Sequence, residues 1–199
     1  MTSQGELFAA GSALPNGLVH RPEFVTPDEE RELLTGISTL ELREAAYKEY
    51  TAKRRVASFG AGYDFDANEL TPAPVMAPFL LPLREKVAAW AALPAEAFGY
   101  ALVSEYRPGT QLGWHRDVPH FEVVAGVSLG GTARMRFRPY PPRRASPVLA
   151  LDLAPRSAYI LRDEARWGWQ HSIPPTKELR YSITFRTARQ AGTARRRER

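Results

Sequence analysis

The spacing of apolar residues changes character near residue 99. Before that point it is helical in two places. In FVTPDEERELL, Thr26 can cap a helix, Pro27 suits its first turn and Glu29 completes a capping box. Leu33, Leu34 and Ile37 then form one apolar stripe. LREKVAAWAAL, residues 83–93, predicts a second helix. Between the two, KEYTAKRRVASFGAGYDFDANEL (residues 48–70) has little periodicity. It interleaves Lys53, Arg54 and Arg55 with Tyr50, Phe59, Tyr63 and Phe65, a mixture suited to stacking on bases and holding phosphates. The same mixture also fits a two-strand flap whose aromatics pack on a core.

From residue 99 the pattern is of short strands broken by Gly and Pro. Eight are expected: GYALVSEY, GWHRD, EVVAGVSLG, ARMRFRPY, PVLALDL, SAYILR, WQHSIP and RYSITFRT. Eight such strands predict a mainly β chain with flanking helices and a jelly-roll-like barrel. PYPPRRASP reads as a surface turn. The expected organisation is a flexible start (1–15), one domain (16–188) and a basic disordered tail (189–199). The chain of 199 residues is long enough for one such core.

Within RYSITFR, Arg180, Ser182, Thr184 and Arg186 share one face, and Tyr181, Ile183 and Phe185 share the other. If this strand closes a barrel, one face looks inward and its arginines need anions. Asp117 can serve one, and a dicarboxylate can serve the other through a forked contact. The alternative is a pair of surface arginines on an edge strand.

Composition narrows the chemistry. There is no cysteine, which removes disulfides, zinc–thiolate sites and Cys nucleophiles, and fits a cytoplasmic protein. No run of 18 apolar residues exists, so no transmembrane helix is expected. The N-terminal stretch lacks the basic and apolar regions of a signal peptide. Charge is uneven: residues 1–100 carry 9 Lys+Arg against 14 Asp+Glu, and residues 101–199 carry 18 against 8. A basic half attracts polyanions such as nucleic acid, although a solvated tail supplies part of it. Nothing in the sequence signals an oligomer, and a monomer is expected.

LGWHRDVPHF, residues 112–121, holds the candidate chemistry. A kinase reading of HRD fails, because Glu122 stands where the catalytic-loop Asn belongs. A metal reading places His115 and Asp117 on one face of a strand, with His171 of WQHSIP as third ligand among the four histidines. Two His and one carboxylate leave iron positions open.

Together, HRD (His115, Asp117), WQHSIP (His171), RYSITFR (Arg180, Arg186) and the upstream LVSEYRPG resemble the AlkB-type branch of the Fe(II)/2-oxoglutarate dioxygenases. The resemblance covers roughly residues 16–188. It implies a double-stranded β-helix with N-terminal helices and a nucleotide-recognition lid at about 48–70. It implies Fe(II) on His115, Asp117 and His171, with O2 and 2-oxoglutarate as cosubstrates. Arg180, helped by Tyr106, would hold the distal carboxylate of 2-oxoglutarate, and Arg186 would lie near its other carboxylate and Asp117. Ser104 and Ser182 complete the expected cosubstrate pocket; both stand where family members often have Asn. Pro119 stands where DNA-repair members often have an acid. The implied reaction is oxidative removal of N-alkyl groups (1-methyladenine, 3-methylcytosine, etheno adducts) from single-stranded or flipped-base DNA or RNA. Tyr63 and Phe59 are the expected base stackers, Lys53, Arg54 and Arg55 the phosphate contacts, and His120 a further substrate contact. The rival readings are the same iron chemistry on a protein or small molecule, and a catalytically weak nucleic-acid-binding barrel.

Overall fold

The computed structural model describes residues 14–47, 50–64 and 69–189. The proposed flexible start up to residue 13, part of the proposed lid and nearly all of the proposed basic tail lie outside the described residues, as does the Tyr63 side chain.

Among the described residues, thirteen strands and three α-helices follow in chain order: β1 (Leu18–Arg21), α1 (Pro27–Ser38), β2 (Arg43–Tyr47), β3 (Tyr50–Phe59), β4 (Ala61–Asp64), β5 (Glu69–Pro72), α2 (Leu81–Ala91), β6 (Tyr100–Tyr106), β7 (Leu112–His115), β8 (Phe121–Gly130), β9 (Ala133–Pro139), β10 (Leu149–Leu153), β11 (Ala158–Leu161), α3 (Asp163–Trp167), β12 (Trp169–Ile173) and β13 (Arg180–Ala188). All eight strands expected after residue 99 are present. The larger sheet has the order β1-β11-β8-β13-β6-β3-β2, the smaller β10-β9-β12-β7, and every ladder is antiparallel. The two sheets enclose an interior in which Tyr106 of β6 packs with Ala133 of β9 and Ile173 of β12. This is the double-stranded β-helix with flanking helices.

The helices begin as their sequences dictate. The Thr26 hydroxyl accepts from the Glu29 N–H, and the Glu29 carboxylate accepts from the Thr26 N–H, closing the capping box of α1. Pro82 sits in the first turn of α2, where no backbone donor is lost, and Ala92 ends the helix in the left-handed region. Both helices cover the outer face of the larger sheet. Leu33, Ile37, Leu83 and Val87 share one core there with Val103, Val127, Ile183 and Phe185.

The final strand is part of the barrel wall and not an edge: β13 lies in the middle of the larger sheet, paired with β8 on one side and β6 on the other, which removes the edge-strand alternative. One expectation about strands is corrected. The GWHRD strand ends at His115, so Asp117 stands in the following loop. The loop leaves the ladder because Arg166, 2% exposed, donates to the carbonyl oxygens of Val118 (2.7 Å) and Phe121 (2.8 Å) instead.

The proposed lid is also redrawn. Much of it is β3, whose residues Arg55–Phe59 pair with β6. Cross-strand partners share a face, so Phe59 opposite Ala101, Ala57 opposite Val103 and Arg55 opposite Glu105 look toward the helices. Phe59 is therefore a core residue at 6% exposure rather than a base stacker. Arg55 is likewise tied down: its Nη1 donates to the Glu105 carboxylate at 3.1 Å, and it also donates to the Leu42 carbonyl. Arg54, one residue earlier, falls on the opposite face and looks into the barrel.

Phe59→Ala should lower unfolding free energy by about 3–5 kcal/mol, the cost of an emptied aromatic core site. Denaturant unfolding measures it; a loss under about 1 kcal/mol would return Phe59 to the surface.

Candidate metal centre and cosubstrate pocket

The centre is assembled by pairing β7 with β12. His115 is the Cα partner of His171, and their rings meet edge to face with centroids 4.2 Å apart. His115, Asp117 and His171 each offer a ligand atom, and these atoms lie within 4.8 Å of one another. The His115 Nδ1 lies 2.9 Å from the Gly113 carbonyl, which can only accept. Nδ1 must then carry the proton, leaving the Nε2 lone pair for a metal. Asp117 divides its oxygens: Oδ1 accepts from Arg186 Nε at 3.0 Å, and Oδ2 faces His171 Nε2 at 3.6 Å. Arg186 thereby turns one carboxylate oxygen toward the imidazoles.

Electrostatics put these groups in the ligand state. Burial and the neighbouring His115 push His171 down to about 3. Burial also lowers His115, with Asp117 opposing. Burial works against ionised Asp117, but Arg186 and the histidines hold it well below the usual carboxylate range. Two neutral imidazoles and one carboxylate, with no sulfur, suit a borderline cation such as Fe(II). The donor set fits the metal that the sequence implied.

The remaining pocket lies between β13, β6 and β8. Arg180 is 1% exposed, and its Nε donates to Ser128 Oγ at 2.9 Å. Its guanidinium lies over the Tyr106 ring, 4.9 Å from the centroid. Arg180 Nη1 is buried with no partner, and no carboxylate pairs with Arg180 among the described residues. An unpaired buried guanidinium is costly, so the pocket is built to receive an anion. Ser104, Ser182 and Ser128 stand in one register across β6, β13 and β8, forming a hydroxyl row beside it. The face expected from RYSITFR is the one observed: Arg180, Ser182, Thr184 and Arg186 line the interior, while Ile183 and Phe185 join the helix-side core.

Other expected site residues fare differently. Arg54 is half-buried on the barrel face of β3, its charge felt at His115, and its Nε is buried without a partner. Lys53 is exposed on the same strand. His120 is half-buried in the turn before β8, and its carbonyl accepts from the Arg189 N–H. Arg116, between the two ligands, points outward: it donates to the Trp167 carbonyl and stacks 3.7 Å from the Tyr140 ring centroid. Glu122 accepts from Trp167 Nε1 at 3.1 Å. Sequence reasoning missed Arg166, Ser128 and Tyr159. A serine in VSLG and a tyrosine in SAYIL carry no local signal, because only the sheet register turns them inward.

Bound Fe(II) is expected to raise unfolding free energy by roughly 2.7 kcal/mol at 100 times its Kd. Asp117→Ala should abolish both that shift and succinate formation while circular dichroism stays unchanged. Succinate formation at the parental rate would remove Asp117 from the ligand set.

Comparison with known proteins gives the family. Residues 17–186 match the 2OG-Fe(II) oxygenase superfamily. The uncharacterized protein L905 of Acanthamoeba polyphaga mimivirus is 30% identical over 192 residues, spanning 86% of this chain and 84% of that protein. The DNA oxidative demethylase ALKBH2 of Mus musculus is 30% identical over 175 residues, spanning 80% of this chain and 71% of that protein. The structure of OsALKBH1 superposes with a TM-score of 0.68 at 16% identity, covering 88% of this chain and 100% of that one. The chain belongs to the 2OG-Fe(II) oxygenase superfamily, in its AlkB-type branch.

Proposed function

We propose that this dioxygenase is an oxidative nucleic-acid dealkylase acting on single-stranded or flipped-base DNA or RNA. The observation that carries the substrate class is a stack of arginines behind the metal centre. Along β9, Met135 and Phe137 enter the interior, so Arg134, Arg136 and Arg138 face out. Arg136 and Arg138 lie over the Trp114 ring, 5.1 and 4.4 Å from its centroid. Trp114 immediately precedes His115, and Arg138 donates to Gln170, which immediately precedes His171. The reverse face of the strands that hold the metal ligands is thus cationic. Exposed Arg116, stacked on Tyr140 just past the end of β9, adds to it, and Asp152 lies 3.9 Å from Arg134. Such a surface holds a phosphate backbone without reading sequence. Arg54 brings a further cation to the interior side. Similarity to a DNA oxidative demethylase supports the same class.

In this reading Fe(II) and 2-oxoglutarate supply the oxidising chemistry, with O2 consumed and succinate and CO2 released. The residues position it. Arg180, stacked on Tyr106, and the Tyr106 hydroxyl would hold the distal carboxylate, and the serine row would border the cosubstrate. Arg186 keeps Asp117 ionised and aimed. Hydroxylation of an N-alkyl carbon gives a hemiaminal, which breaks its C–N bond to release an aldehyde and the restored base.

Purified protein with Fe(II), ascorbate and 2-oxoglutarate should release formaldehyde from oligonucleotides bearing 1-methyladenine or 3-methylcytosine. Silence on DNA and RNA alike, with uncoupled succinate formation intact, would move the substrate to a protein or small molecule. Arg136→Gln with Arg138→Gln should weaken single-strand binding and flatten its log–log salt dependence by about 0.7 for each phosphate the ladder no longer neutralises. An unchanged slope would take the ladder out of the interface.

A further inference from the structure

We propose, on the nucleic-acid reading of the cationic surface, that the substrate strand wraps round the free edge of β7. One flank of the strand then lies against Trp114, Arg136 and Arg138 while the alkylated base sits at the metal centre. The substrate class narrows accordingly to nucleic acid that is single-stranded on that flank.

The two faces of β7 carry two different sites. His115 turns inward to meet His171, and Trp114, the residue before it, turns outward beneath Arg136 and Arg138. One sheet separates the two, so a strand that touches both must pass an edge. β7 supplies that edge: β12 pairs with one side of it, and no strand pairs with the other among the described residues.

The edge is open where the strand would cross. Gly113 is exposed, and a Cβ there would meet nothing within 4 Å. Leu112 pairs with Ile173 and His115 with His171, so β7 takes three steps where β12 takes two. Such a bulge leaves a residue without a ladder partner, and a strand glycine often marks the close approach of another backbone. Cations stand on both sides of the crossing. Arg54 looks into the barrel, and its charge is felt at His115. Exposed Arg116 follows His115 directly and stacks on Tyr140, just past the end of β9.

The outer arginines are set for phosphate. Arg136 Nε donates to Ser172 Oγ at 3.2 Å, and Arg138 Nε donates to Gln170 Oε1 at 2.8 Å. Each guanidinium is thereby fixed beside the indole. Among the described residues, no carboxylate forms an ion pair with Arg116, Arg136 or Arg138. A guanidinium already held in place loses little freedom when it takes a phosphate.

Stiffness selects the strand. Duplex DNA has a persistence length of about 150 base pairs, so it does not turn round the edge of one β-strand. A single strand does. Its bound flank raises the affinity of the whole through the effective concentration of a second contact.

The test uses 1-methyladenine oligonucleotides, as DNA and as RNA, of about 4 and about 16 nucleotides, the span of single-strand site sizes on one small domain. Formaldehyde release is measured beside anisotropy binding to the Mn(II)-loaded protein. The longer oligonucleotide should bind at least about tenfold more tightly than the shorter and show a lower KM to match. In Arg136→Gln with Arg138→Gln that length advantage should disappear. Gly113→Glu, which puts a carboxylate at the crossing, should weaken the longer oligonucleotide more than the shorter. A full complement annealed to the longer oligonucleotide should cancel its advantage. A complement covering one flank should cancel it on one side of the lesion and not on the other. The wrapped path is overturned by equal affinity at both lengths, by a length advantage that survives in the double variant, or by a full duplex bound as tightly as the single strand. In those cases formaldehyde from the shorter oligonucleotide leaves the nucleic-acid reading standing. No formaldehyde from any oligonucleotide takes both down.

Discussion

The interior of this barrel is organised by two arginines on a strand that cannot turn them out. β13 is flanked by β8 and β6, so its two faces are committed. Ile183 and Phe185 are needed on the helix side, which sends Arg180 and Arg186 into the interior. Each cation must be compensated there, because desolvating an unpaired guanidinium is expensive. The compensation differs at the two ends. Arg186 has Asp117 at 3.0 Å within the chain. Arg180 has a hydroxyl, an aromatic face and an unpartnered Nη1, an arrangement completed by a bound anion. One end of the strand thus finishes the candidate metal centre, and the other offers a buried, incompletely paired cation.

The same constraint explains the state of the ligands. Without Arg186, burial would favour protonated Asp117, which is a poor metal ligand. With it, the carboxylate stays ionised and has one oxygen left for the histidine side. The loop that carries Asp117 has no strand ladder to fix it, and Arg166 substitutes by binding two of its carbonyl groups. Buried cations therefore set both the charge and the position of the single acidic ligand.

Alternation also distributes the cations that face nucleic acid in the proposed function. Arg54 and Arg55 are adjacent in sequence and opposite in space: one looks into the barrel, and the other neutralises buried Glu105. On β9 the outward set of Arg134, Arg136 and Arg138 lies behind the metal centre, stacked on Trp114. Residues 48–70 read as a mixture of basic and aromatic residues, yet Arg55 is spent on Glu105 and Phe59 on the core. ARMRFRPY reads only as a strand, yet it presents the longer cationic face.

The sequence by itself determined the eight strands of the barrel, the capping box of α1, the two faces of RYSITFR and the His115–Asp117–His171 and Arg180–Arg186 sets. All of these rest on local periodicity or on residue types with few alternatives in a chain of four histidines and no cysteine. Tertiary structure decided what depends on register between distant strands. It set β13 between β8 and β6, sent Phe59 into the core, and ended β7 at His115. It also brought Tyr159, Ser128 and Arg166 to the site. These outcomes had no local signature, because a side chain's face is fixed by its strand's pairing. That pairing is set by which partners, often far away in the chain, complete the buried surface.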